Sequence, residues 1–161
     1  MTSHFLLPLA GLLHVLLAVI WVGGMLFAHQ VLRPAAGGIL ESPQRLRLWR
    51  RVLRKFFIWV WHAVVLMPIT GYWMAYMLFG GMGQLPAHVN VMQGLGWIMI
   101  ALFLYVFFGP YRRLGAAVDA EDWARAADAL AGVRKVVGVN LVIGIVVVVV
   151  ASGGRLSGGL F

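Results

Sequence analysis

The chain has 161 residues, of which 62% are hydrophobic and 11% charged, and its mean hydropathy is +0.91. An ordinary soluble domain carries about 25% charged residues and, at this size, buries only about 70% of the surface of its unfolded chain. So much apolar surface excludes a water-soluble fold and predicts a protein of the lipid bilayer. Cysteine is absent from the sequence, which excludes disulfides, thiolate zinc sites, iron–sulfur clusters and thiolate-bound haem.

Four apolar runs are each close to the roughly 20 residues that cross a bilayer core. A segment rich in glycine, Gly80 to Pro86, separates the second run from the third and predicts a turn. Short connections between successive spans predict an all-α integral membrane protein, an antiparallel four-transmembrane-helix bundle in a single domain over residues 1–161. The predicted spans cover about residues 5–28, 56–79, 91–109 and 136–151.

The formal net charge of +8 comes from basic residues that, apart from Arg155, lie between the first and second spans or between the third and fourth. Lys and Arg beside short loops remain in the cytoplasm. This pattern predicts a multi-pass protein of the bacterial inner membrane with both basic loops inside and both termini outside, in the periplasm. Because topology explains the positive charge, no nucleic-acid partner is predicted.

The two basic loops carry helix signals of their own. Ser42 and Pro43 are typical of an N-cap and a first helical residue, and 45–57 predicts a basic amphipathic helix leading into the second span. Asp119 is predicted to cap a helix over 120–131. The apolar stripe of the first of these helices is predicted to consist of Leu46, Trp49 and Leu53.

Within the spans, small and polar residues predict how the helices approach one another. Asn140 is a polar residue in the fourth span and needs a partner inside the bundle. Glycines permit close contact between membrane helices, and the candidates are Gly23, Gly24, Gly94, Gly96, Gly138 and Gly144.

Histidine is the titratable residue type left for chemistry, because no Asp, Glu, Lys or Arg lies inside a predicted span. His14 lies within the first span, His29 near its inner end and His62 in the inner half of the second. Counted from the inner interface, His29 and His62 lie at more similar depths than His14 and His62, so the first two histidines are the easier pair to place on one cofactor. Imidazoles on facing helices of a bundle predict haem b with axial histidine ligands, with Arg54 and Lys55 pairing with its propionates. The alternative is that the histidines form hydrogen bonds between helices.

The methionines predict a copper site as an alternative to the haem site. Thioether and imidazole ligands suit Cu(I), although methionine is also a common filler of apolar cores. These ligands gather towards the outer ends of the second and third spans, as His88, Met74, Met77, Met82 and Met92.

The first span reads His14-Val-Leu-Leu-Ala-Val-Ile-Trp21-Val-Gly-Gly24-Met-Leu-Phe27. A histidine seven residues before Trp, followed by Gly-Gly, resembles the opening helix of the copper resistance D (CopD-like) membrane proteins and, more distantly, of HemJ-type protoporphyrinogen oxidases. The similarity extends to Leu32-Arg33-Pro34, Phe108-Gly109-Pro110-Tyr111-Arg112-Arg113 and Val139-Asn140-Leu141. The first family implies copper uptake or tolerance at the inner membrane. The second implies haem b with His14 as a ligand.

The main functional prediction is a haem b protein that acts as an electron carrier or small membrane oxidoreductase. His14 is its first iron ligand, His62 and His29 are the next candidates, and a membrane or periplasmic redox partner is implied. In the copper alternative, His88, Met82 and Met92 capture Cu(I) outside and His14 lies on the path inward. A structural accessory subunit of a membrane complex, without metal or haem, is the third hypothesis. Homo-oligomerisation is left open.

Overall fold

The structure, a computed structural model, describes residues 3–156. Its helices form four long rods, two of which are single helices and two of which consist of two helices joined by a π-helical turn. The π-helical turns are Ala28–Leu32 and Phe107–Tyr111, and a 3-10 turn, Met82–Gln84, joins the second rod to the third. The helices are α1 (Ser3–Phe27), α2 (Arg33–Ile39), α3 (Ser42–Phe79), α4 (Ala87–Val106), α5 (Arg112–Asp119) and α6 (Trp123–Leu156).

Each rod is long and apolar enough to cross a membrane, which confirms the predicted four-helix transmembrane fold. Each predicted span falls within one rod. α1 packs mainly along α3, and α4 packs along α6. The α6 helix also contacts α1 and α3, so it joins the two pairs into one bundle.

The rods are much longer than a bilayer is thick. With a rise of about 1.5 Å per residue, the 38 residues of α3 extend about 57 Å, against a hydrocarbon core of about 30 Å. Apart from Arg155, every charged residue of the sequence lies in 33–55 or 112–135. These two segments form one end of the bundle, here called the basic end, which extends beyond the hydrocarbon as packed helices.

Each of the two π-helical turns lies at or just before a proline. Proline lacks an N–H and its ring clashes with the carbonyl four residues earlier in a regular α-helix. The first turn precedes Pro34 and the second contains Pro110. In the first, the Arg33 N–H donates to the carbonyl of Ala28, five residues back. The segments 32–34 and 108–113, which carry the family resemblance, therefore each overlap a local widening of the helix. Such π-helical turns are frequent at functional sites.

The apolar core of the bundle continues into the basic end. Leu46, Trp49 and Leu53 are buried, as predicted, and belong to one core cluster with Leu114 and Leu130 from the facing helices. The amphipathic segment is the first third of the continuous α3 helix.

The predicted cap at Ser42 is wrong by one residue. The carbonyl of Glu41 already accepts a hydrogen bond from the Arg45 N–H at 2.9 Å, so Ser42 is the first helical residue and Glu41 is the N-cap residue, without a side-chain capping bond.

The corner between α5 and α6 also differs from the prediction. α5 ends in a Schellman motif, in which the Asp122 N–H donates to the Ala117 carbonyl at 2.9 Å and Glu121 adopts a left-handed φ of 55°. The chain therefore turns after Asp119. The cap of α6 is Asp122, whose Oδ1 accepts a hydrogen bond from the Arg125 N–H at 3.0 Å. The assignment of Asp119 as the cap was wrong because its carboxylate binds Arg50 instead.

The polar residue of the fourth span has the partner that the sequence required. Asn140 is 3% exposed, and its Nδ2 donates to the Met99 carbonyl at 3.4 Å. Its Oδ1 has no hydrogen-bond partner in the described part of the chain and borders a small cavity of about 10 Å³, shared with Trp21 and Met25. That volume holds about one water molecule.

Three of the six predicted glycine contacts are present. A Cβ added at Gly24 would overlap the Phe56 ring, one at Gly138 would lie 3.3 Å from His29 Nε2, and one at Gly144 would lie 2.9 Å from Val22 Cγ2. The prediction is wrong for the remaining three, whose Cβ positions have no heavy atom within 4 Å: Gly23, Gly94 and Gly96.

Candidate functional site

His14 is half-buried on α1 and faces α3, where its Nδ1 lies 2.9 Å from Thr70 Oγ1. Thr70 is 6% exposed, and its hydroxyl donates to the Leu66 carbonyl at 2.7 Å, with the Met67 carbonyl at 3.2 Å. With the hydroxyl proton directed at these carbonyls, Oγ1 can accept a hydrogen bond from the imidazole. In that tautomer His14 carries its proton on Nδ1, and Nε2 has the unprotonated lone pair.

Thr70 lies in a segment of α3 that accommodates the imidazole. Gly71 follows it, and a Cβ added there would lie 3.2 Å from His14 Cε1. Any side chain at this position would crowd the ring. The threonine and the glycine thus constrain the orientation of His14, and outer groups of this kind orient the histidines that bind metals in proteins.

Two methionines flank this segment on the same face of α3. Met67 precedes Thr70 by three residues and Met74 follows it by four, and both are half-buried. Residues at these spacings are neighbours on one helix face. Met74 reaches across to α1, since its Sδ lies 3.7 Å from the position of a Cβ at Gly11, one turn before His14. Met74 and His14 therefore lie on facing sides of α3 and α1, about one helical turn apart in depth.

The other predicted iron ligands face different surroundings. His62 is exposed, and its Nδ1 lies 2.8 Å from the Ile58 carbonyl of its own helix. His29 is half-buried in the first π-helical turn and faces α6 at Gly138. Thus His14 contacts α3, His29 contacts α6, and His62 is bonded within α3. Arg54 and Lys55 are exposed on α3 at the basic end.

The residues of the predicted outer copper site lie on the far side of the bundle from the basic end. His88 and Met92 are half-buried and four residues apart on α4, so they share a helix face. The His88 ring lies against the backbone of α6 at Gly154. Met82 is 51% exposed in the turn before α4.

Over the described residues, no three His, Asp or Glu side chains come together in a way that could hold a metal ion. Sequence reasoning selected His14 and Met74, but it missed Thr70, Gly71 and Met67. Their residue types and helical spacing can be read from the sequence, but which of them face His14 depends on the packing of α1 against α3.

Comparison with known families decides between the two resemblances. A family model described as Copper resistance protein D matches residues 50–153, which is more than half of the chain. The chain belongs to the copper resistance D family. No curated protein and no solved structure matches it. The match includes the second to fourth spans, with Thr70, Met74 and Asn140, and begins after the helix that carries His14.

Membership of the copper resistance D family supports a copper-resistance-type multi-pass membrane protein. It agrees with the copper alternative better than with the haem b prediction, for which neither the family match nor the geometry gives support. The HemJ-type part of the resemblance has no support either.

Proposed function

We propose that this protein binds Cu(I) inside the bilayer, as part of copper uptake or tolerance. Its central ligands are the Nε2 atom of His14 and the thioether of Met74, with Met67 as a further donor one turn away. The observation that carries the proposal is the hydrogen bond between His14 Nδ1 and Thr70 Oγ1 at 2.9 Å, because a proton donated from Nδ1 to Thr70 would leave Nε2 as the nitrogen that binds the metal.

The donor set fits a soft monovalent ion. Thioethers and neutral imidazole bind Cu(I), whereas harder divalent ions such as Mg²⁺ and Ca²⁺ select carboxylates and carbonyls. No acidic residue lies within the apolar part of any rod, so this part of the chain offers no such carboxylates. A single positive charge also costs less to transfer into a low-dielectric interior than a double charge.

A second donor group lies where Cu(I) would enter from the side opposite the basic end. His88 and Met92 share a face of α4, and Met82 is exposed on the adjacent turn. We assign these three residues to capture of the ion and His14 to a position deeper on its path.

Competition with a chromogenic Cu(I) chelator tests this function on the purified full chain in detergent. We expect His14→Ala and Met74→Leu each to weaken Cu(I) binding by about tenfold or more, since each removes a ligand. Met77→Leu is the matched control, because Met77 lies on the same helix but is 53% exposed. Equal affinity in wild type and both ligand variants would refute the ligand assignment, whereas a wild type that binds no Cu(I) would favour a structural accessory subunit.

A further inference from the structure

A cleft of about 340 Å³ lies at the basic end of the bundle, between the first π-helical turn and α6. We call it the basic cleft. Three cations and one imidazole dominate its lining. Its lining residues are His29, Arg33, Ala131, Arg134, Lys135 and Gly138.

The cations of the basic cleft have no carboxylate among them, since none of the six described lining residues is acidic. Three acidic side chains form ion pairs elsewhere, Asp119 with Arg50, Glu121 with Arg47 and Asp122 with Arg125. The cleft thus concentrates positive charge that the described lining residues do not neutralise.

Arg134 is the residue that most requires an anion. Its Nε is buried and has no hydrogen-bond partner in the described part of the chain. The positive charges of Arg33 and Arg45 both act on its guanidinium, and the face of Trp49 lies 5.6 Å from Cζ. Like charges beside a half-buried guanidinium are costly, and an anion bound in the cleft would offset that cost by accepting hydrogen bonds from the guanidinium.

The shape of the basic cleft depends on two backbone features. The π-helical turn places His29 opposite α6, and Gly138 admits the ring, because a Cβ there would lie 3.3 Å from His29 Nε2. A volume near 340 Å³ is within the range of small-ligand pockets, about 300–1,000 Å³, and accommodates a phosphate ester.

The geometry points to a binding site for a phosphate group in the basic cleft, formed by Arg33, Arg134, Lys135 and His29. The chemistry shared by its ligands is a phosphate monoanion or dianion that accepts hydrogen bonds from guanidinium and ammonium groups. Two sources can supply it, the headgroup of an anionic phospholipid and free phosphate.

The position of the cleft favours the phospholipid. Arg33 and Lys135 stand at the level where the charged residues end and the apolar spans begin. The spans that adjoin this level carry exposed large apolar side chains, among them Phe27 at 57% and Val142 at 62%, which would lie against acyl chains. Basic pockets between membrane helices on the cytoplasmic side are typical sites for anionic headgroups.

Native mass spectrometry tests the site on the full chain, released from nanodiscs of phosphatidylcholine with a minor fraction of phosphatidylglycerol. We expect one phosphatidylglycerol to remain bound preferentially to the wild type. The double substitution Arg33→Gln with Arg134→Gln should reduce this preference about 30-fold, at about fivefold per cation near a membrane surface. The control is Arg112→Gln with Arg113→Gln, which removes two exposed cations outside the cleft.

A second variant protects the test against misfolding of the double substitution. Ala131→Glu places a carboxylate in the cleft from an exposed helical position, retains every cation and suits a helix. It should abolish the preference for phosphatidylglycerol while the protein elutes as the wild type does.

Titration with inorganic phosphate in lipid-free detergent separates the two sources. In one outcome, the wild type binds phosphate, loses that binding in Ala131→Glu and shows no preferential retention of phosphatidylglycerol. This combination would support the site and assign it to free phosphate. Equal lipid retention and equal phosphate binding in the wild type, the cleft variants and the control would overturn the proposal.

Discussion

The imidazole of His14 and the hydroxyl of Thr70 lie 2.9 Å apart across the interface of α1 and α3. Residues 56 positions apart in the sequence therefore form one polar pair within the membrane-spanning part of the bundle. Thr70 also donates to the backbone of its own helix at Leu66, so its oxygen is held in place as an acceptor. In the proposed copper site, this arrangement would orient the other imidazole nitrogen, Nε2, towards the ion.

The first prediction concerns the positioning role of Thr70. Thr70→Val retains the shape of the side chain and removes the acceptor of the His14 proton. Cu(I) affinity should fall by about 10- to 100-fold, the usual effect of losing a group that orients a metal ligand. Thr70→Ser should retain most of the affinity because it keeps the hydroxyl. Chelator competition measures all three proteins, and a Val variant as tight as the Ser variant would show that Thr70 does not orient His14.

The second prediction separates glycines in helix contacts from glycines beside open space. Gly144→Ala brings a Cβ within 2.9 Å of Val22 and 3.2 Å of Met99, and overpacking of this kind costs about 1–3 kcal/mol of unfolding free energy. Gly94→Ala meets no neighbouring atom within 4 Å and should be neutral or stabilise the helix by up to about 1 kcal/mol. Unfolding in mixed micelles with increasing SDS measures the difference. Equal midpoints for the two variants would contradict the packing of α6 against α1 and α4.

The third prediction tests which aspartate caps α6. Asp122→Ala removes the acceptor of the Arg125 N–H and should lower the free energy of unfolding by about 1 kcal/mol. Asp122→Asn should retain most of that stability, since asparagine caps a helix equally well. Asp119→Ala breaks the exposed pair with Arg50, and such pairs contribute less than about 1 kcal/mol. If Asn at position 122 were as destabilising as Ala, the assignment of the cap would be wrong.

The fourth prediction is the membrane orientation. The basic residues at one end of the bundle predict that this end faces the cytoplasm and that both termini face the opposite side. In a bacterial host, alkaline phosphatase fused to the C-terminus should be active, and the same enzyme inserted in the loop between α2 and α3 should be inactive. The reverse pattern would place the proposed capture residues, His88 and Met92, on the cytoplasmic side.

The sequence predicts most of the fold, because the bilayer imposes length and polarity on each rod. Apolar runs and the distribution of Arg and Lys are sufficient to locate the rods and the amphipathic start of α3. Local signals are weaker where tertiary contacts compete with them. Asp119 has the right residue type for a cap, but Arg50 of another rod binds its carboxylate, and the Schellman turn moves the helix start to Asp122.

The candidate site is less predictable because the sequence does not show which faces of the rods meet. The depth of each histidine can be counted from the rise per residue, and this count favours pairing His29 with His62. In the structure His29 faces α6, whereas His62 is exposed and bonded to its own helix. The neighbour of His14 is a threonine, and a single hydroxyl in an apolar span carries no signal of its own until the facing helix is known.

The most direct test of the account is X-ray absorption at the copper edge of the purified protein loaded with one equivalent of Cu(I). We predict a first coordination shell containing both nitrogen and sulfur, with the nitrogen contribution lost in His14→Ala and the sulfur contribution reduced in Met74→Leu. A shell that is the same in the wild type and both variants, or a protein that retains no Cu(I), would contradict a copper site between α1 and α3.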